Sequence, residues 1–292
     1  MTTIDPTTAP LGTSDRERFD RSRMLTVART DLKQLIQARD FWFPMILLGS
    51  FFFVLIPAFL LLSITQIGSV ETVAKVSESL DMLPPAAQAQ IVGDSPEGRT
   101  GYALAVYLFA PIAVIVPLTI STAVGASTIV GERERGTGEF LAHSPASAKE
   151  IYIGKLIASL IPGYVTTAVG FGLYSLIVNL TVGPEVGGWF FPTFQWWVMI
   201  LWVLPPFLAI CLSLVLRLSA KVKSTAAAQQ ASGLVSLPLI MIAYSQSTGI
   251  LLGAGNMPYF VGGIAWVVAL FSLHRGVRSV TRSRLLGVAG GI

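Results

Sequence analysis

Tyr102–Ile129 reads YALAVYLFAPIAVIVPLTISTAVGASTI, 28 consecutive residues without a charged side chain. A helix needs ~20 predominantly apolar residues to cross a hydrocarbon core of ~30 Å, so this run is predicted to span a membrane. It ends against a segment of opposite character, Gly131–Lys155, GERERGTGEFLAHSPASAKEIYIGK, which holds four acids and four bases in a chain only 12% charged. Apolar crossings separated by charged connections are the pattern that the rest of the sequence repeats.

The 292 residues are 53% hydrophobic and their mean hydropathy is +0.68, far from the composition of a soluble domain, in which about a quarter of residues are charged. The fold class expected is therefore all-α: a polytopic membrane protein of six transmembrane helices, at about 41–64, 102–129, 156–182, 196–216, 225–244 and 257–273, within a membrane domain of 41–274. Ahead of it, 16–40 carries Met24, Leu25, Ala28, Leu32, Leu35 and Ile36 at helical spacing with bases between them, the pattern of an amphipathic helix lying in the membrane interface. A helix packed on a partner would show the same pattern. Residues 1–15, rich in Thr, Pro and Asp, are expected to form a disordered cytoplasmic tail, and 275–292 a second cytoplasmic tail. No cleavable signal is expected, because a polar leader precedes the first apolar run.

Lys and Arg accumulate in short cytoplasmic loops. Of the 20 bases, 18 fall before the first span, between spans two and three, between four and five, or after six; only Lys75 and Arg99 lie elsewhere. Both termini are thus placed in the cytoplasm. The outer loop from Thr65 to Gly101 is too short for a receptor domain, and its Val70–Leu83 stretch is expected to form a surface helix. Trp189, Phe190, Phe191, Trp196 and Trp197 are expected to mark the outer interface as a belt. Pro111 with Pro117 and Pro205 with Pro206 are expected to kink spans two and four, and the Gly-rich piece 250–255 to insert partly. Asn179, Leu180 and Thr181 match a sequon, to which no function is assigned.

Much chemistry is missing. The sequence contains no phosphate-binding G-x-x-x-x-G-K-[ST] loop, no H-E-x-x-H and no C-x-x-C. His143 and His274 are its only histidines, so no metal site is expected. Cys211 is the only cysteine, so no intrachain disulfide can form. The bases cluster at the ends of apolar runs, which points to lipid headgroups and away from nucleic acid. No acid sits near the middle of a span, where proton- or ion-coupled carriers place ionisable groups. The chain is therefore not expected to be an enzyme, nor to power transport by itself.

The charged segment has its own order. Gly131 and Gly136 allow sharp reversals, Thr137 can cap a short helix with Glu139 in its first turn, and Pro145 breaks it. Ser147 with Glu150 forms a capping box from which the third span starts. The run Glu132, Arg133, Glu134, Arg135, Gly136, Thr137, Glu139, Leu141, then Ser144–Ser147 and Glu150, Ile151, Gly154 and Lys155 resembles the corresponding loop of permease subunits of ABC type-2 exporters. A second stretch, Lys221, Val222, Lys223, Ser224, Ala228, Gln229, Gln230, Gly233 and Leu237–Leu239, is similar to the entry of the fifth span in bacterial sodium-efflux and multidrug-type members. Gly138 departs from the pattern, which has a large apolar residue there, and the large outer domain of many sodium-efflux relatives is absent.

The resemblance implies a permease working with a separate ATP-binding subunit, which would hold the ATP and Mg, so this chain needs no cofactor of its own. It further implies a homodimer, or pairing with a similar permease, in the bacterial cytoplasmic membrane. Glu132, Arg133, Glu134 and Arg135 would then face the partner or lock a hinge, with Gly136, Thr137 and Glu139 shaping the coupling helix. Arg217, Lys221 and Lys223 would form a smaller second contact. For a substrate path the candidates are Ser121, Thr122, Gln229, Gln230, Ser232 and Ser236, for which helix packing through small hydrogen-bonding residues is an equal alternative. A non-transporting membrane scaffold or regulatory subunit, or an ion-coupled secondary transporter, is the competing function.

Overall fold

The computed structural model of the chain describes residues 19–67, 73–75, 78, 80, 85–134, 144–219, 221–222, 224–244 and 256–279, with some side chains in the later helices excepted. Every regular element among them is helical. In chain order they are α1 (Arg21–Gln37), α2 (Arg39–Gln66), the short α3 (Pro85–Gln88), α4 (Pro96–Glu132), α5 (Ala148–Thr181), the short α6 (Gly183–Val186), α7 (Phe194–Ser219), α8 (Thr225–Tyr244) and α9 (Met257–Ser279). The expectations for 1–15, for the surface helix Val70–Leu83, for 250–255 and for the tail beyond residue 279 lie largely or wholly outside the described residues.

Five of these helices, α2, α4, α5, α7 and α9, are long and apolar enough to cross a membrane. The remaining predicted span coincides with α8, whose 20 residues give it a length of ~30 Å. It is not among those five, and some of its side chains lie outside the description. Both α4 and α5 run past their predicted spans at the charged end, α4 through a last turn to Glu134 and α5 from Ala148.

The central helix is α4, most of whose apolar stretch is buried, whereas that of the peripheral α2 is mostly not. It packs on α5, α7 and α8; α7 in turn packs on α8 and α9, and α2 lies along α5. Apolar burial cannot drive helices together in lipid, so close approach through small residues must do so. Gly163 of α5 meets Ser121 and the Pro117 carbonyl of α4 where a Cβ would not fit, and a Cβ on Gly125 would lie 2.9 Å from Leu212 of α7.

Proline shapes three of the spans. Wider π segments occupy Phe51–Leu55, Leu104–Leu108 and Met199–Val203, each containing the residue four positions before Pro57, Pro111 or Pro205. A proline has no N–H to give that carbonyl and its ring collides with it, so the helix widens there. In α4 the Phe109 N–H goes to Leu104 and the Ala110 N–H to Tyr107, which releases the Ala105 and Val106 carbonyls. Tyr174 Oη donates to the first at 2.6 Å and Trp196 Nε1 to the second at 3.0 Å. Tyr164 Oη does the same for Ile200 in α7, at 2.8 Å.

The aromatic residues expected to form an outer belt divide between surface and core. Trp189 and Trp197 are exposed, but Trp196 and Phe191 are 1% and 4% exposed, inside a cluster with Phe171 and Tyr174. Their polar and edge contacts are used within the protein. Asn179 is buried too: its Oδ1 accepts the Phe190 and Phe191 N–H groups, both at 3.0 Å, and its Nδ2 donates to the Phe191 carbonyl. The side chain that reads as a sequon thus folds the connection into α7.

Candidate functional site

At the charged end, α1 is laid across the start of α5. Asp20 caps α1 by accepting the Ser22 N–H, and its own N–H donates to Glu150 Oε1 at 2.7 Å. The other Glu150 oxygen accepts the Ser147 N–H at 2.8 Å while Ser147 Oγ accepts from Glu150 N, completing the capping box expected from the sequence. Arg23 donates to the Pro145 carbonyl at 2.9 Å. Two helix starts distant in sequence thereby share one carboxylate, which suits the positive end of each.

One turn further along, Gly154 admits α1 at close range: a Cβ there would lie 2.9 Å from both the Met24 carbonyl and Val27. Beside it, Lys155 is 1% exposed. Its ammonium lies 2.7 Å from Glu132 at the end of α4 and 3.3 Å from Asp31 of α1, and donates to the Thr128 carbonyl at 3.0 Å. Asp31 and Glu132 are both 7% exposed. Three helices are therefore joined by one buried charge, a contact that is stringent because removing a partner strands the others in a poor solvent for ions.

The neighbouring acid works differently. Glu134 is exposed, and its carboxylate accepts the Thr225 N–H at 2.8 Å and the Thr225 hydroxyl at 2.5 Å. It supplies from α4 the anion that the first turn of α8 lacks. On the far side, Arg217 is half-buried and donates to the Ser213 carbonyl and to Ser272 Oγ, tying α7 to α9. Tyr152 of α5 joins that network through Ser213 at 3.0 Å. A cleft of about 450 Å³ opens between α1 and the base of the loop, lined among others by Arg23, Thr30, Gln34, Glu132 and Pro145.

Of the residues singled out in sequence, Glu132, Glu134 and Arg217 therefore sit in junctions between helices, and Lys221 is exposed. The side chain of Arg133 lies outside the described residues, as do Arg135, Gly136, Thr137, Glu139 and Lys223. Asp31, Tyr152, Ser213 and Ser272 were not singled out; Asp31 alone had a signal, an acid among the four bases of the amphipathic helix α1.

Residues 25–286, most of the chain, match the family described as ABC-2 family transporter protein. The chain belongs to this family. It is a multi-pass membrane protein and the permease component of an ABC transporter, and permeases of this family normally pair with an ATP-binding subunit. No curated protein matches it significantly.

In the permease the expected path residues divide into two sets. Ser121 is fully buried against Gly163, and Thr122 donates to the Leu118 carbonyl at 2.7 Å. Ser232 and Ser236 donate to carbonyls of their own helix, and Cys211 Sγ lies 3.5 Å from Ser236 Oγ. All four are buried in this conformation. Gln229 and Gln230, by contrast, are exposed on α8, on one stripe with Gly233, Leu234 and Leu237.

Proposed function

We propose that this permease couples ATP hydrolysis by a separate ATP-binding subunit to efflux of a substrate across the bacterial cytoplasmic membrane. Two copies, or one copy and a similar permease, assemble with two such subunits; ATP and Mg are held there and not in this chain. Both termini lie in the cytoplasm, α8 is the sixth crossing, and α1 rests in the membrane interface. The observation that carries this reading is the buried junction Asp31–Lys155–Glu132, which binds α1, α4 and α5 into one unit beside the loop 135–143.

In this mechanism the partner pushes on the loop through Arg133, Arg135, Gly136, Thr137 and Glu139, with Lys221 and Lys223 as the second contact. Glu132 locks the hinge from inside, and Glu134 passes the movement to α8 through Thr225. Arg217 holds α7 to α9 as the bundle moves. The exposed Gln229 and Gln230 face the path between subunits. Binding of ATP drives the cycle because the partner's affinity for the loop differs between two arrangements of the helices.

Vesicles carrying the permease alone and vesicles carrying it with its ATP-binding subunit test this. ATP-dependent movement of substrate only in the second set is expected. Movement by the permease alone under an ion gradient would identify a secondary carrier, and no movement in either set with normal assembly would identify a scaffold.

A further inference from the structure

The helix α1 has more than one working face. Met24, Val27, Ala28, Asp31 and Leu35 turn toward α5 and are buried or half-buried. Adjacent to them a second stripe, Arg21, Leu25, Arg29, Leu32, Lys33 and Ile36, recurs at three- and four-residue steps and so shares one side. Leu25 and Ile36 are 42% and 71% exposed. Among the described residues no ion pair engages Arg21, Arg29, Lys33 or Arg39.

The chain itself fixes where that stripe lies. The α-helical path breaks only at Ala38, which is extended at φ −89°, ψ 98°, and α2 begins at Arg39 with Trp42 and Phe43 exposed in its first turns. A helix joined to a membrane span by one residue cannot leave the bilayer surface. There the apolar side chains reach the acyl boundary, and long basic side chains extend to the headgroups. Arg39, Asp40, Trp42, Phe43 and Pro44 also line a recess at the same level.

We infer that this stripe is a binding surface for anionic phospholipid, with Leu25, Leu32 and Ile36 inserted and Arg21, Arg29 and Lys33 pairing with acidic headgroups. Because Asp31 on the adjoining face is paired to Lys155, the lipid contact is joined rigidly to the start of α5. The inference rests on the interfacial placement of α1 and adds to it the charge of the ligand.

The test uses the full chain with Cys211→Ser, which removes the one native thiol, and Leu25→Cys carrying a fluorophore. The protein is placed in phosphatidylcholine nanodiscs with a minor fraction of phosphatidylglycerol, and either lipid is brominated in turn, at equal fractions, as a quencher. Brominated phosphatidylglycerol is expected to quench about twofold more than brominated phosphatidylcholine, since each base near an anionic surface enriches acidic lipid. Arg29→Gln with Lys33→Gln should bring the two to equality, and high salt should do likewise. A fluorophore at Gln34→Cys, on the cleft side, should be quenched by neither. Equal quenching in the unsubstituted stripe, or a preference that survives both substitutions, overturns the anionic ligand; no quenching by either lipid overturns the interfacial placement itself.

Discussion

Lys155 carries more of the charged end than any other residue. Buried ion pairs contribute little net stability when intact, but removing one partner costs ~3–5 kcal/mol because the remaining charge is stranded. Lys155→Ala leaves Asp31 of α1 and Glu132 of α4 without their shared cation, and thermal unfolding in detergent should show that loss; combining it with Asp31→Asn and Glu132→Gln should recover most of it. Asn179 is the counterpart at the opposite end. Asn179→Ala removes the acceptor of two backbone N–H groups, and about 1–3 kcal/mol should follow, measured by the same unfolding. The capping box at Ser147 was legible in sequence because its partners are three residues apart. The junction at Lys155 was not: Asp31 lies 124 residues away and resembles one more polar position on an amphipathic helix.

At the scale of elements, α1 shows what hydrophobic periodicity can and cannot say. The period gave the helix, but not which side would be claimed by α5, since an interfacial face and a packed face carry the same residues. Gly154 decides the matter by admitting the α1 backbone. Gly154→Val should push α1 away from α5, lengthening the distance between spin labels at Leu25 and Val165, both exposed. The proline distortions of α4 and α7 were legible, that of α2 at Pro57 was not singled out, and the donors that repair α4 were not legible: Trp196 and Tyr174 reach carbonyls 90 and 69 residues away, so Trp196, which reads as part of a lipid belt, became core. At the start of α8, Glu134→Ala removes a cap supplied by another helix. Caps are worth ~0.5–2 kcal/mol, so faster amide exchange at Thr225 and Ala227 is expected, with the exchange of α5 unchanged.

Across the whole molecule, the sequence conveyed the all-helical membrane class because crossing lipid demands long uncharged runs, a constraint written locally. It conveyed less about which polar residues face a path, because serines and threonines that bond to their own helix look the same as those that line a channel. Thr122, Ser232 and Ser236 are of the first kind here, Ser121 is buried against Gly163, and Gln229 and Gln230 stay exposed. The proposed coupling joins these scales: in it the loop 135–143, backed by the Asp31–Lys155–Glu132 junction and by Glu134 on α8, would transmit the partner's work into the spans. The most direct measurement is substrate-stimulated ATPase activity of the permease reconstituted with its ATP-binding subunit, with Glu134 and Arg135 reversed in charge. The account predicts that stimulation is lost while the permease dimer and basal hydrolysis persist. Full stimulation and transport in the doubly reversed variant would contradict it.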